Sequence, residues 1–140
     1  VRRVVLDTSV LVSAVRSSRG ASFAVLSAIG SGSFDIAVSV PLILEYEDVL
    51  LRHATAAGLA TSDVADIVDY ICSIAILQDI FFLWRPILRD AGDDMVLELA
   101  VAARCDAVIT HNVRDFVGAE RFDVAVLPPG RFLEELRGKR

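Results

Sequence analysis

Acidic side chains recur in this sequence where an apolar chain would not ordinarily put them. Asp7 interrupts VVLDTSVLV, and a lone charge between apolar flanks is costly without a partner. Glu45 lies in LILEYEDVLLR, Asp93 and Asp94 adjoin the run MVLELAVAARC, and Asn112 and Asp115 fall in HNVRDF. Oxygen-only sets of this kind suit hard cations, Mg²⁺ or Mn²⁺. Carboxylates packed together repel unless a cation neutralises them. A divalent ion held by them polarises a phosphodiester and lowers the pKa of a water for in-line attack. No Cys/His cluster, Gly-rich phosphate loop or nucleophilic serine motif competes with that chemistry. Plainer readings stand beside it. Asp93 and Asp94 are favoured at a helix start by the dipole. Glu45 could face solvent, as Glu47 and Asp48 do in the same reading, and Asp115 could serve a turn. His53 reads as a surface helix residue and His111 as loop packing beside the candidate site.

The elements that would position these residues follow from the apolar periodicity. Residues 4–6 are β-branched and apolar, a short buried strand. A helix over 9–16 follows, with Thr8 or Ser9 as its cap. A second helix over 22–29 ends at Gly30, and 34–40 alternates as a strand. Pro41 opens a helix through LILEYEDVLLRHA. After a turn at 58–61, Thr61 or Ser62 caps a helix that reaches about Ile76. The aromatic run 81–84 reads as a short strand or extended edge. RDAGDD is a loop into MVLELAVAARC, 107–110 is a strand, HNVRDF a loop, 124–127 a strand, and RFLEELR a closing helix. Strands alternating with helices imply an α/β fold, a parallel sheet of four or five strands covered on both faces. Ligands gather beyond the carboxyl ends of such strands. That edge is where Asp7, Glu45, Asp93, Asp94, Asn112 and Asp115 are all expected.

The whole chain narrows the function classes. Its 140 residues fit one domain, 1–140, and 54% hydrophobic content supplies a core without staples. A net charge of −5 argues against a broad basic surface for passive nucleic-acid binding, though a metal would bring its own positive charge. Basic residues gather at both ends: Arg2, Arg3, Arg16 and Arg19, then Arg131, Arg137, Lys139 and Arg140. Cys72 and Cys105 match no metal or redox spacing; they read as two buried free thiols, which suits a reducing, cytoplasmic setting, with a single disulfide as the alternative. No secretory signal is expected, because Asp7, Ser9 and Ser13 break the apolar run near the start, and Gln78 and Asp79 interrupt the longest apolar stretch, so no membrane association is expected.

Four stretches resemble the PIN domain family: VVLDTSVLVSA, LILEYEDVLLR, DDMVLELAVAARCDAVITHNVRDF and VAVLPPGRFLEEL. They cover much of the chain in the family's order. The pairing of a buried strand running into Asp-Thr-Ser with Thr-x-Asn-x-x-Asp-Phe carries the likeness. Within the family the chain resembles the toxin components of toxin–antitoxin pairs, the VapC-like ribonucleases of prokaryotes. The resemblance implies a three-layer α/β/α domain and a Mg²⁺- or Mn²⁺-dependent endoribonuclease leaving 3′-hydroxyl and 5′-phosphate ends. Asp7 matches the first family acid, supported by Thr8 and Ser9, and Glu45 the second. The third commonly precedes a small helix residue by seven positions, as Asp93 precedes Ala100, with Asp94 the alternative. Thr110 and Asn112 match the later element. Asn112 stands where related members often carry Asp, so Asp115 would supply the fourth charge and help hold any second ion. Arg16 and Arg114 are candidates to touch the RNA backbone.

A toxin implies an antitoxin partner that would lay apolar surface into a groove and a basic side chain into the acidic pocket. The helix stretches 42–51 and 64–76 offer such a groove or a homodimer face, and core packing explains them equally well. A second function class is a catalytically weak or inactive domain that binds RNA or protein, which Asn112 keeps open. A phosphorylated-aspartate domain wants a lysine near the later strands, and the single lysine, Lys139, lies in the tail.

Overall fold

The computed structural model describes residues 2–80, 88 and 90–138. The elements run β1 (Arg2–Leu6), α1 (Thr8–Arg16), α2 (Ala21–Ala28), β2 (Phe34–Val38), α3 (Val40–His53), α4 (Thr61–Ile74), β3 (Ile76–Leu77), α5 (Ala91–Ala102), β4 (Ala107–Ile109), β5 (Ala125–Leu127) and α6 (Pro129–Gly138). Single 3₁₀ turns at Val113–Phe116 and Ala119–Phe122 lie between β4 and β5. The sheet has five strands in the order β3-β2-β1-β4-β5, every pair parallel. It realises the expected α/β architecture of helices on both faces. Right-handed crossovers place α1 to α4 on one face and α5 on the other. The contacts agree, since α1 packs on α2 and α3, and α3 on α4, while α5 packs on β1, β2 and β4.

The central strands are apolar throughout because both faces are covered. Val4, Val5, Leu6, Ala107, Val108 and Ile109 are all essentially inaccessible. The arginines that precede them are structural ties. Arg2 bonds Glu135 of α6 and lies over the Phe132 ring, and Arg3 donates to the Ala103 carbonyl at 2.8 Å. Gly30 ends α2 with φ +83°, and a Cβ there would stand 2.6 Å from the Tyr70 hydroxyl, which itself bonds the Ile29 carbonyl. Left-handed backbone and close approach both demand glycine at that corner.

Several local expectations change. α4 stops at Ile74, and the next residues form an edge strand on β2, with Ala37 opposite Ile76. Apolar residues in a helix running straight into a two-residue strand give no change of period to read. The expected strand at 81–84 lies outside the described residues. α1 starts at Thr8 with Asp7 in the cap position, so neither Thr8 nor Ser9 caps it. Ala60 precedes α4 in place of Thr61 or Ser62, and Asp63 folds back to accept from the Ala60 N–H. Cys105 is buried as expected but Cys72 is exposed, and both are free. Among the described residues, no helix is long and apolar enough to cross a membrane.

Candidate active site

The strand order turns back at β1, whose neighbours β2 and β4 lead the chain in opposite directions. A crevice therefore opens at the carboxyl ends of β1 and β4, the place where such sheets hold ligands. Asp7 follows β1 and Thr110 follows β4, and the Asp7 N–H donates to the Ile109 carbonyl at 2.9 Å across the crevice. An open cleft of about 660 Å³ lies there. Asp7, Thr8, Ser9, Arg16, Glu45, Asp93, His111 and Asn112 are among its walls.

Aspartate is among the best helix-capping residues. Asp7 occupies the cap position of α1, yet its carboxylate caps nothing. Instead its Oδ2 accepts from the Ser9 hydroxyl at 2.8 Å and the Thr110 hydroxyl at 2.7 Å. Both donors load one oxygen, which leaves Oδ1 for another partner. Glu45 stands on α3 behind a cap made by Ser39, whose Oγ accepts from the Leu42 N–H. The Thr8 hydroxyl donates to Glu45 Oε2 and so ties the second carboxylate to the residue after the first.

The α5 N-terminus separates its aspartates by task. The helix begins at Ala91, so AGDD forms its first turn rather than the expected loop. Asp90 caps it, its Oδ1 accepting from the Gly92 N–H at 2.7 Å. Asp94 Oδ1 accepts from the Leu88 N–H at 2.8 Å and does not line the cleft. Asp93 lines the cleft and has no hydrogen-bond partner among the described residues. Burial, together with the charges of Asp7, Asp90, Asp115 and Glu45, raises its pKa from 3.8 to about 7. Asp115 is exposed in the 3₁₀ turn and acts on Asp93 through its charge without lining the cleft. Arg16 lines the cleft, whereas Arg114 is exposed outside it.

A family model described as PIN domain matches residues 3–114. The chain belongs to the PIN domain family. It is also similar in structure to a chain from the crystal structure of VapBC2 from Rickettsia felis bound to a DNA fragment from their promoter. The TM-score is 0.59, at 13% identity over 90% of this chain and 98% of that one. At that identity the likeness speaks to the fold. No curated protein matches the chain in sequence. PIN domains are generally nucleases, so hydrolysis of a nucleic acid is the family-level activity.

Three residues of this PIN domain went unmarked in the sequence. Tyr46 is fully buried beneath the cleft and donates to the Leu6 carbonyl, bracing α3 against the end of β1. Burial, then the charges of Asp7 and Glu45, holds its phenol well above the usual range. An aromatic at a core position of a helix announces packing, and nothing local marks its hydroxyl. Ser22 is buried in α2 and bonds His111. Gly92 leaves room for the α5 cap, since a Cβ there would press on Asp90 Oδ1 at 3.0 Å, while Glu45 Oε1 of α3 would lie at ordinary contact distance, 3.6 Å. Gly→Ala in a helix ordinarily stabilises by up to about 1 kcal/mol. Gly92→Ala is expected to give no rise in Tm, because the new methyl disturbs the Asp90 cap; a thermal melt against wild type checks this.

Proposed function

We propose that the chain is a metal-dependent endoribonuclease, the toxin of a toxin–antitoxin pair, with Asp7, Glu45, Asp93 and Asp115 as its acidic residues. One observation carries the reading. Three separated segments bring Asp7, Glu45 and Asp93 to one cleft, where burial first, and then the charges of Asp7, Asp90, Asp115 and Glu45, push the Asp93 carboxyl up to about 7. Arg16 is the one Arg or Lys lining that cleft among the described residues, a single positive charge against three carboxylates.

The donor set fits Mg²⁺ or Mn²⁺, being all oxygen. Among the described residues no three acidic, His or Cys side chains stand close enough to hold an ion by themselves. An ion that retains several waters suits that spacing. Asp7 Oδ1, Glu45 and Asp93 would hold it, with Asp115 and Asn112 completing the site in place of Asp94. When bound, the ion supplies a Lewis acid at the phosphodiester and an activated water. The protein's own work is to fix the carboxylates. Ser9 and Thr110 orient Asp7, Thr8 orients Glu45, and Arg16, which lines the cleft, would meet a phosphate of the RNA.

The test is cleavage of single-stranded RNA with Mn²⁺ or Mg²⁺ against the same reaction with a chelator. Metal-dependent products with 5′-phosphates are expected. Metal-independent cleavage, or none, removes the reading. An inactive binding domain would still take up RNA while showing no calorimetric signal for Mn²⁺.

The partner reading narrows as well. Leu42, Tyr46 and Leu50 of α3, and Val64, Val68 and Ile71 of α4, are buried, so core packing accounts for most of the expected groove. Val40, Leu44 and Leu51 remain exposed on one side of α3, with Leu77 of the edge strand also exposed. These residues are our proposed face for a homodimer or an antitoxin. Leu44→Glu is expected to keep the native circular-dichroism spectrum and to convert a dimer to a monomer by light scattering, with the lower Tm that loss of association brings. A wild-type mass already monomeric, with no antitoxin binding, would remove this face.

A further inference from the structure

Beyond the acids, the cleft has a tie that the nuclease reading leaves unexplained. Ser22 is 1% exposed in α2, yet its hydroxyl reaches 2.6 Å across to His111 Nε2 in the segment after β4. The bond forms whichever partner donates, because a hydroxyl accepts from a protonated Nε2 and donates to a bare one. The same residue is held by its backbone, as the His111 N–H donates to Ser9 Oγ at 3.2 Å. That serine hydroxyl is one of the two that grip Asp7 Oδ2. Next along the chain, the Asn112 N–H donates to Thr110 Oγ1 at 2.9 Å, and the Asn112 carbonyl accepts from the Asp115 N–H at 2.9 Å. A chain of bonds thus runs from α2 through His111 to the turn that carries Asp115.

We propose that Ser22 and His111 form a latch, a pair of positioning residues that pins the post-β4 segment to α2 and thereby sets where Asn112 and Asp115 stand against Asp7 and Asp93. His111 acts through Ser22 and not on the RNA. The latch itself is a statement about segment order, and its effect on cleavage rests on the nuclease reading above. Outer supports of a metal site commonly cost 10–100-fold in metal affinity or activity when removed. The effect here belongs at the lower end, since Thr110 and Ser9 still hold the segment by backbone bonds.

The test compares Ser22→Ala, His111→Ala, the double variant and His111→Gln, whose amide nitrogen can occupy the Nε2 position. Hydrogen exchange at the Asn112 and Asp115 amides reads the latch without substrate. Exchange about tenfold faster in both single variants, with recovery in His111→Gln, is expected. In cleavage at saturating Mn²⁺, kcat is expected to fall about tenfold in each single variant with KM for RNA nearly constant. The double variant should be no worse than His111→Ala, the signature of one coupled unit. Wild-type exchange in Ser22→Ala overturns the latch. Effects that multiply in the double variant also overturn it, because His111 then works independently of Ser22. Faster exchange with unchanged kcat overturns the positioning role. A wild type that cleaves no RNA removes the nuclease reading and the positioning role with it, and the exchange arm still decides the latch.

Discussion

Asp7→Asn is expected to lower RNA cleavage by at least about a hundredfold while the fold survives. The Ser9 and Thr110 hydroxyls both donate to Oδ2. An asparagine carbonyl in that position accepts the same two bonds, so the buried Thr110 hydroxyl keeps its partner. What disappears is the negative charge and the acceptor at Oδ1, the oxygen that the proposed metal needs. Loss of an outer support costs 10–100-fold at metal sites, and a direct ligand should cost at least the upper end of that range. Asp7→Ala tests the other half of the argument. It strips the acceptor from two hydroxyls at once, and a buried polar group left unpaired costs about 1–3 kcal/mol. Asp7→Ala should therefore be as inactive as Asp7→Asn and melt at a lower temperature. Rates in saturating Mn²⁺ with circular-dichroism melts separate the two effects. An Asp7→Asn rate within a few-fold of wild type would remove Asp7 from the proposed ligand set.

The sequence made Asp7 legible because a strand that buries both faces has no other use for a charge at its end. It also placed Glu45 and the α5 aspartates at the same sheet edge, since parallel strands fix which end each helix starts from. It favoured Asp93 over Asp94 only through the family resemblance, and could not show how differently the two are held. That distinction depends on Asp94 turning back to the Leu88 N–H, a bond to a preceding loop that no spacing rule reveals. Ser22 and Tyr46 were invisible for the same reason. Their partners, His111 and the Leu6 carbonyl, are 89 and 40 residues away in the chain. β3 escaped because two residues cannot show an alternation. The arginines at the chain start stood out only as part of a basic cluster, whereas Arg2 is spent on Glu135 and Phe132. Chemistry carried by one residue type at the end of an element was readable; chemistry made by pairs brought together by the fold was not.

Asp93→Asn is expected to abolish cleavage and, without divalent ions, to make the protein more stable than wild type at pH 8. The pKa of Asp93 is raised from 3.8 to about 7 by burial and by the charges of Asp7, Asp90, Asp115 and Glu45. Between those values the folded protein holds a proton that the unfolded chain has released. Stability from this group therefore falls as pH rises from about 4 to 7, and above 7 the full penalty of burying the charge beside the other carboxylates is expressed. Below about 4 both states are protonated and the difference vanishes. Asparagine is neutral throughout, so the Tm advantage of Asp93→Asn should be largest at pH 8 and shrink steadily toward pH 4. A divalent ion reverses the sign. It stabilises the wild-type fold by binding it and draws Asp93 back to its charged form. Wild type should accordingly gain Tm with Mn²⁺ at pH 8, and Asp93→Asn should gain little. Melts at pH 4, 6 and 8, each with Mn²⁺ or a chelator, check the crossover. Equal Mn²⁺ shifts in the two proteins would show that Asp93 holds no ion. A wild type whose chelated melt is flat from pH 4 to 8, with the variant parallel to it, would show that the carboxylates of the cleft do not press on one another. A fold that keeps repelling carboxylates together gives up stability at neutral pH, and the ion they are proposed to hold is what would return it.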